Sequence, residues 1–256
     1  MKIIISPAKK MRHDDGLEWK TLPAFLDKTE EIMQALKAMG YDELKKLWKC
    51  NDDIAALNTE RLSRMNLKGD LTPAILAYEG IQYQYMAPGV LDEEGLDYID
   101  RHLRIISGFY GVVRPFDGVV SYRLEMQAKL KIGKAKDLYL YWNNLICEEI
   151  CKDNDCIIDL ASKEYSIAVS KHLPEGIKMI SVTFGEEKDG KIIEKGTMCK
   201  MARGAMVRFM AENNITSPEG MKSFAQLGFV FDESRSDERN YVFIKQPEKV
   251  TDKDEW

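Results

Sequence analysis

A short aliphatic run at the start of the chain sets the strongest constraint on its fold. Residues 2–5 read K-I-I-I and are followed by Ser6-Pro7, a pattern that predicts a buried strand ending in a loop. The next clear strand pattern begins only near residue 156. Because a buried strand needs hydrogen-bonding neighbours along its edges, we expect this first strand to insert into the sheet built by the C-terminal half.

The rest of the chain separates into helical and strand patterns. Apolar residues at helical spacing predict helices, whereas alternating or β-branched runs predict strands. The predicted helices are 29–39, 42–50, 53–65, 73–78, 94–106, 138–151 and 197–213, and the later strands are 156–161, 178–184, 191–195, 229–232 and 241–245. The sequence E-K-D-G-K between two of these strands is typical of a hairpin turn.

No linker and no internal repeat divides these elements. The sequence therefore predicts an α+β fold for residues 1–245, a single compact domain in which helices surround a central mixed β-sheet. Residues 246–256 are charged and offer little apolar surface for burial, so we expect a flexible charged tail there.

The composition is that of a soluble globular protein, with 45% hydrophobic and 31% charged residues. No apolar run approaches the ~20 residues that cross a bilayer, and the N-terminus lacks a signal-peptide pattern. We therefore expect a cytoplasmic protein without a membrane partner. The five cysteines are an odd number without framework spacing, which predicts reduced thiols. Cys147, Cys151 and Cys156 leave a redox or metal role open, but zinc needs a fourth ligand, and we predict neither metal nor cofactor.

Cationic residues are concentrated in the segment 101–136. Eight lysines and arginines stand there against two acidic residues, which gives the segment a charge of +6. Because the whole chain has a formal net charge of −5, the remainder carries −11. This segregation predicts a polarised surface that attracts a polyanion to one face. We expect the basic residues to meet in a single trough for a sugar–phosphate strand.

The glycine-flanked sequence S-G-F-Y-G lies between Arg104 and Arg114, directly after the predicted helix 94–106. Backbone N–H groups beside Gly108 and Gly111 are uncovered by a Cβ and can bind phosphate. The arrangement resembles the helix-hairpin-helix used for DNA binding without base specificity. The alternative is an ordinary helix end in which Gly108 adopts the left-handed capping conformation.

The predicted helix 197–213 carries a basic stripe. At about 100° per residue, Lys200, Arg203 and Arg208 share one side of the helix, and the apolar residues lie on the other. Gly204 falls inside the basic stripe, where a bare backbone would admit a phosphate or a base. The alternative is that Gly204 allows a neighbouring helix to pack closely.

Two loops follow predicted strands at positions where open sheets bind ligands. Lys9 lies just after the first strand and could bind phosphate or act as a nucleophile, or remain a solvated loop residue. The residues 159–165 could form a polar pocket through Asp159, Ser162, Glu164 and Tyr165. A hydrolase elbow, a Walker loop and a dinucleotide fingerprint are all missing from the sequence.

Several of these segments together resemble the YaaA family of bacterial peroxide-stress-resistance proteins. The matching sequences are I-I-S-P-A-K at 4–9, L-R-I-I-S-G-F-Y-G-V-V-R-P-F-D at 103–117, Y-R-L-E-M at 122–126, D-L-Y-L-Y-W at 137–142, I-D-L-A-S-K-E-Y at 158–165 and A-R-G-A-M-V-R-F at 202–209. The resemblance implies a single α+β unit that binds DNA through a helix-hairpin-helix-like element and a basic cleft. It also implies a role in limiting oxidative DNA damage under hydrogen peroxide, with a link to lower free intracellular iron.

The resemblance assigns ten residues to DNA binding. The hairpin group is Arg104, Ser107, Gly108, Gly111 and Arg114, and the cleft group is Lys9, Arg123, Lys200, Arg203 and Arg208. The partner would be duplex or distorted duplex DNA, with Phe109 and Tyr110 at the hairpin tip stacking on exposed bases.

A second function stays open beside DNA binding. Lys9, the loop 162–165 and Arg203 could instead form the pocket of an enzyme that acts on a nucleotide or a nucleic-acid base. We favour the binding protein over the enzyme, and direct iron sequestration is the weakest hypothesis. The geometry discriminates, because an open groove favours binding whereas a closed cavity shared by Lys9, Arg203 and Glu164 favours catalysis.

Overall fold

The computed structural model describes residues 1–247 of the chain. Its α-helices are α1 (Leu26–Lys37), α2 (Tyr41–Trp48), α3 (Asp52–Ser63), α4 (Ala74–Ala77), α5 (Ile81–Met86), α6 (Glu93–His102), α7 (Leu138–Trp142), α8 (Leu145–Cys151), α9 (Lys163–Ser170) and α10 (Gly196–Glu212). Its strands are β1 (Lys2–Ile5), β2 (Lys10–Met11), β3 (Thr72–Pro73), β4 (Tyr78–Glu79), β5 (Leu103–Ser107), β6 (Gly111–Val113), β7 (Gly118–Val119), β8 (Cys156–Asp159), β9 (Lys178–Lys188), β10 (Lys191–Ile193), β11 (Phe229–Phe231) and β12 (Asn240–Lys245). Of the predicted tail 246–256, all but the first two residues lie outside the described residues.

A mixed eight-stranded sheet forms the centre of the molecule, as the sequence predicts. Its strands lie in the order β11-β12-β9-β8-β1-β5-β6, and β10 pairs with β9 as a hairpin. The five strands from β12 to β5 run parallel, whereas β6 and β11 pair antiparallel at the two ends. The carboxyl ends of the parallel strands therefore meet along one side of the sheet, which we call the carboxyl edge. Ligand sites of such sheets form there.

The first strand lies in the middle of this sheet. Ile3 pairs with Leu103 of β5 on one side and with Ile158 of β8 on the other. All three isoleucines of β1 are fully buried, and burial of one such side chain contributes about 1.5–3 kcal/mol. The predicted insertion of β1 is confirmed, although one of its two neighbours, β5, comes from the middle of the chain.

The predicted helix 94–106 is wrong in its last turn. The helix α6 ends at His102, and the next residues form β5, which pairs with β1 and with β6. Leu103 and Ile106 continue the apolar helical spacing, but an apolar run that is buried on both sides satisfies a strand pattern equally well. Pairing to a buried central strand, which lies about a hundred residues away in sequence, decides between the two.

The predicted helix 138–151 is divided in two. The helix α7 ends at Trp142, and Asn143 adopts a positive φ of 47° before α8 begins at Leu145. The other long helices, the β9–β10 hairpin and the terminal strand pair match the prediction within a few residues. Within residues 1–247, no helix combines the length and the apolar character needed to span a bilayer.

The closest helix packing joins α5 and α10 at Gly204. A Cβ built on Gly204 would lie 2.0 Å from the carbonyl oxygen of Gln82 and 3.0 Å from its carbonyl carbon. Only a glycine at this position lets the two backbones approach so closely. The packing alternative for Gly204 is therefore confirmed, and the hypothesis that it admits a phosphate or a base is wrong.

We expect the Gly204→Ala variant to be less stable by about 1–3 kcal/mol, because the new methyl group would overlap a backbone carbonyl that cannot rotate away. This expected net loss already includes the gain of about 1 kcal/mol in helix propensity. The measurement is urea denaturation. Gly196→Ala in the first turn of the same helix is the control, since its Cβ meets no atom within 4 Å. Equal stability of the two variants would contradict the packing argument.

Candidate functional site

A pocket of about 370 Å³ opens at the carboxyl edge of the sheet. It lies where the loops after β1 and β8 meet the first turns of α5 and α9 and the middle of α10. Its polar and charged lining residues are Ser6, Lys9, Lys10, Glu79, Gln82, Ser162, Glu164, Tyr165, Lys200 and Arg203. The structure thus brings together Lys9, the 162–165 loop and Arg203, as the sequence suggested for an enzyme pocket.

Hydrogen bonds between distant segments fix the wall of this pocket. The Ser162 N–H donates to Ser6 Oγ at 2.8 Å, which ties the loop after β8 to the loop after β1. The Tyr83 hydroxyl donates to the Ser6 carbonyl at 3.0 Å and attaches α5 to the same point. The pocket is therefore held by the sheet rather than by a free loop.

The cations of the pocket exceed its carboxylates. Four cationic side chains and two carboxylates line it, an excess of two positive charges. Lys9 Nζ lies 2.9 Å from Glu125 Oε1, and Arg203 Nη2 lies 3.6 Å from Glu194 Oε2. Lys200 is exposed and forms no ion pair with any residue that the structure describes. Lys200 is therefore the lining cation whose charge stays available to an anionic ligand.

Two buried donors beside the pocket lack partners. Gln82 is only 7% exposed, and its amide nitrogen Nε2 has no hydrogen-bond acceptor among residues 1–247. Arg203 Nε also has no hydrogen-bond acceptor among these residues, and the side chain of Arg203 is only 14% exposed. A buried polar group without a partner costs free energy, so such groups are expected to have a partner.

Two carboxyl groups at the site, those of Glu164 and Asp159, have a raised pKa. Burial raises the pKa of the Glu164 carboxyl, and the neighbouring Glu125 raises it further. Burial also raises the pKa of Asp159, which accepts hydrogen bonds from the Ser166 hydroxyl and the Ala161 N–H. The nearby positive charge of Arg203 acts in the opposite direction on Asp159. A carboxyl group with a raised pKa can donate a proton closer to neutral pH than an ordinary one.

A basic loop is attached to the rim of the pocket. We call residues 127–137 the lysine loop, because its four exposed cations are Lys129, Lys131, Lys134 and Lys136. The Gln127 N–H donates to Glu164 Oε1 at 3.2 Å, and the Tyr139 hydroxyl donates to the Glu164 carbonyl at 2.8 Å. The first residue of the loop and Tyr139, two residues after its last one, are thus anchored on one pocket residue. Reciprocal backbone hydrogen bonds between Ile132 and Ala135 close its tip.

The four lysines of this loop are free of ion pairs. None of them lies within 4.0 Å of a carboxylate oxygen of residues 1–247, whereas the lysines near the pocket at positions 9 and 10 are both paired. From the sequence alone, these four residues are recognisable only as part of a basic segment. Their placement at the pocket rim depends on Glu164, which is remote in sequence.

The predicted helix-hairpin-helix element is wrong. Residues 103–113 form the β5–β6 hairpin inside the sheet, and Phe109 and Tyr110 at its turn are fully buried. Ser107 Oγ accepts the N–H groups of both residues, at 3.1 and 2.9 Å. These N–H groups are therefore used inside the protein, and the two rings cannot stack on DNA bases.

The two hairpin glycines serve packing and turn geometry. A Cβ on Gly108 would lie 2.8 Å from the Leu124 carbonyl oxygen, so the chain passes too closely for any side chain. Gly111 has a φ of +76° and lies against the ring of Trp142. Neither glycine leaves its backbone open to a phosphate, because both are buried. The general hypothesis of a glycine-flanked phosphate loop is wrong for this reason.

The predicted basic residues do not form one trough. Arg104 and Arg114 lie with Lys2 at the amino-terminal side of β1 and β5, opposite the pocket. Arg114 pairs with Asp100 at 3.3 Å, and burial together with Arg114 lowers the pKa of Arg104. Strand direction explains the separation. The pocket lies at the carboxyl ends of the parallel strands, whereas these arginines lie near the amino-terminal ends.

The five cleft residues are placed in three ways. Lys9, Lys200 and Arg203 line the pocket. Arg123 lies behind Lys9, with its Nη2 3.7 Å from the shared partner Glu125. Arg208 points away from this cluster and pairs with Glu212 of its own helix at 2.6 Å. Sequence analysis missed Gln82, since nothing in the sequence I-Q-Y-Q-Y-M marks it as different from the other polar residues of α5.

Comparison with known proteins assigns the family. A family model described as peroxide stress protein YaaA matches residues 1–235 of the chain. The chain belongs to this family. It is 49% identical over 254 residues to a UPF0246 protein of Lachnoclostridium phytofermentans, which covers 99% of this chain and 100% of that protein. It is 52% identical over 246 residues to a UPF0246 protein of Desulfitobacterium hafniense, covering 96% of this chain and 98% of the relative. The family resemblance noted from the sequence motifs is confirmed.

The cysteines of this family member remain thiols in the structure. Cys147 and Cys151 approach each other with a distance of 3.7 Å between their sulfur atoms, but burial raises the pKa of both thiols. A raised pKa lowers the fraction of reactive thiolate. In the part of the chain that the structure describes, no three histidine, cysteine, aspartate or glutamate residues form a group that could hold a metal ion.

We expect Ser107→Ala to lower the stability of the protein by about 1–3 kcal/mol, because two buried N–H groups and the Tyr122 hydroxyl lose a partner. Urea denaturation measures this loss. If the protein binds DNA, the folded variant should bind it as the wild-type protein does, since Ser107 is fully buried. Ser170→Ala, at an exposed position of α9, is the control. A loss of DNA affinity with unchanged stability would restore the hairpin as a DNA contact.

Proposed function

We propose that this member of the peroxide stress protein YaaA family binds DNA without base specificity through the lysine loop and the neighbouring basic pocket. The observation that carries the proposal is the position of the loop. Four unpaired lysines stand on a segment whose two ends are bonded to Glu164 in the pocket wall. Phosphate oxygens are the partners that such exposed and unpaired lysines favour.

The size of the pocket defines how DNA could approach. A volume of about 370 Å³ falls in the range of small-molecule sites and is far too small for a duplex. A duplex would therefore lie across the lysine loop outside the pocket. A distorted or unpaired region could in addition place a single nucleotide near Lys9 and Arg203, as in proteins that turn a base out of the stack.

The proposed role in the cell is based on the family, which is described as one of peroxide stress proteins. We propose that DNA contact of this kind limits oxidative DNA damage under hydrogen peroxide. The charge of the lysine loop supports the proposal, since residues 129–136 contain four lysines and no acidic residue within a chain of net charge −5. The resemblance also implies a link to lower free iron, and in this proposal that link is indirect.

A combined replacement of Lys129, Lys131, Lys134 and Lys136 by alanine tests the proposal. If each lysine contacts one phosphate, the slope of log K against log salt should fall by up to about 3.6, from a contribution of about 0.9 per contact. Affinity should fall equally for unrelated duplex sequences. Fluorescence anisotropy with duplex, bubble and single-stranded DNA at several salt concentrations measures both quantities.

The control variant loses the same number of positive charges at positions outside the lysine loop. Four exposed lysines without ion pairs among residues 1–247, Lys46, Lys68, Lys171 and Lys188, are replaced by alanine. If the control lowers affinity and salt slope as much as the loop variant, general charge rather than the lysine loop attracts DNA. An affinity without salt dependence in the wild-type protein would remove the proposal itself.

An enzyme acting on a nucleotide or a nucleic-acid base is the second candidate. Lys9, Arg203, Glu164 and Tyr165 line one pocket of small-molecule size rather than a groove wide enough for a duplex, and this geometry supports catalysis. Glu164, with its raised pKa, could donate a proton to a leaving base. Lys9 could act as the nucleophile or hold a phosphate.

We expect an enzyme of this kind to release a base or to cleave oligonucleotides that contain an unpaired or oxidised base. Glu164→Gln should then lower the rate at least about 100-fold, the usual contribution of a general acid. Gel and chromatographic analysis of the products measures the rate, and Glu60→Gln on the exposed face of α3 is the control. Absence of product with the wild-type protein would eliminate this candidate and leave the binding proposal intact.

A further inference from the structure

The pocket contains donors and charges that the protein itself leaves unsatisfied. Gln82 Nε2 and Arg203 Nε are both buried without an acceptor among residues 1–247. Gln82 belongs to α5 and Arg203 to α10, and the two helices touch at Gly204, the residue next to Arg203. The two free donors therefore come from one helix junction. Lys200 lines the same pocket one turn earlier on α10.

An anionic ligand is the best partner for the free hydrogen-bond donors at this helix junction. The two donors require acceptor oxygens, and Lys200 lines the pocket as an exposed cation without an ion pair among residues 1–247. A phosphate group offers several acceptor oxygens and a negative charge at once. Arginine and lysine are the side chains that bind it most often in proteins.

The rest of the pocket lining has a different chemistry. Pro7, Ala8 and Ile81 give it an apolar face, and Ser162, Glu164 and Tyr165 add a few polar groups. A flat apolar group with hydrogen-bonding edges, such as a nucleic-acid base, fits such a wall. The volume of about 370 Å³ corresponds to one small ligand.

We propose that this pocket binds a single phosphate-bearing nucleotide unit, with its phosphate held by Arg203, Lys200 and Gln82 and its base against the Pro7–Ala8 wall. The unit has two possible sources, a free nucleoside monophosphate or a nucleotide turned out of a strand. Only the second source rests on the proposed DNA binding. The lysine loop contacts the strand, whereas the pocket receives one unit.

Titration calorimetry without DNA tests the pocket alone. The probes are the four deoxynucleoside 5′-monophosphates, the corresponding nucleosides and inorganic phosphate. We expect the monophosphates to bind at least tenfold more tightly than the nucleosides. Arg203→Met and Gln82→Leu should each remove most of this difference and leave the weak nucleoside binding unchanged.

Arg208→Met is the matched control on the same helix, because Arg208 pairs with Glu212 and does not line the pocket. It should bind the monophosphates as the wild-type protein does. If a pocket variant fails to fold, as judged by circular dichroism, the ligand series on the wild-type protein still decides. Equal affinity for nucleosides and monophosphates would overturn the phosphate site.

A second arm examines the strand as the source. A duplex with 2-aminopurine opposite a gap should increase in fluorescence when the wild-type protein turns the base out of the stack. Gln82→Leu and Arg203→Met should lose this increase while they still bind the duplex through the lysine loop. If neither free monophosphates nor the strand show any dependence on Gln82 and Arg203, the inference is wrong.

The two proposals can fail separately. Monophosphate binding without DNA binding would remove the proposed function and keep this site as one for a free nucleotide. DNA binding that depends on the four loop lysines but not on the pocket variants, together with no monophosphate binding, would keep the function and remove the site.

Discussion

Parallel pairing of β1 with both β5 and β8 is the interaction on which the rest of the structure depends. Ile3 is paired in register with a residue of each neighbour, and the three isoleucines of β1 are fully buried. This pairing places the loop after β1 beside the loop after β8. The hydrogen bond from Ser162 N–H to Ser6 Oγ follows directly from that placement. Without the pairing of β1 with β8, these two loops would not meet to form the pocket at the carboxyl edge.

The second constraint is the contact of α5 with α10. Gly204 lets the Gln82 carbonyl approach to within 2.0 Å of where a Cβ would stand. The close approach brings the Gln82 amide and the Arg203 guanidinium to one junction and buries both. The same glycine that permits packing thereby creates the pair of unsatisfied donors. Helix packing and the proposed phosphate site both depend on this contact, because any side chain at position 204 would separate the two helices.

The sequence predicted six of the eight strands of the central sheet and most of the longer helices, because their hydrophobic patterns are regular. It failed at residues 103–106, where an apolar run buried on both sides fits a helix or a strand. It failed again at the turn of the β5–β6 hairpin, where two glycines suggested an open phosphate loop. Both glycines are instead enclosed by other segments, Gly108 by the chain near Leu124 and Gly111 by Trp142. Local patterns contain no information about such neighbours.

The sequence by itself determined the family, the α+β class, the central position of the first strand and the concentration of positive charge in one segment. Only the tertiary structure decided which charges act together. Lys9, Lys200 and Arg203 meet at the carboxyl edge, whereas Arg104 and Arg114 lie at the other side of the sheet. The reason is geometric, because strand direction and register bring distant residues together or keep them apart, and neither is encoded in the spacing of charges along the chain.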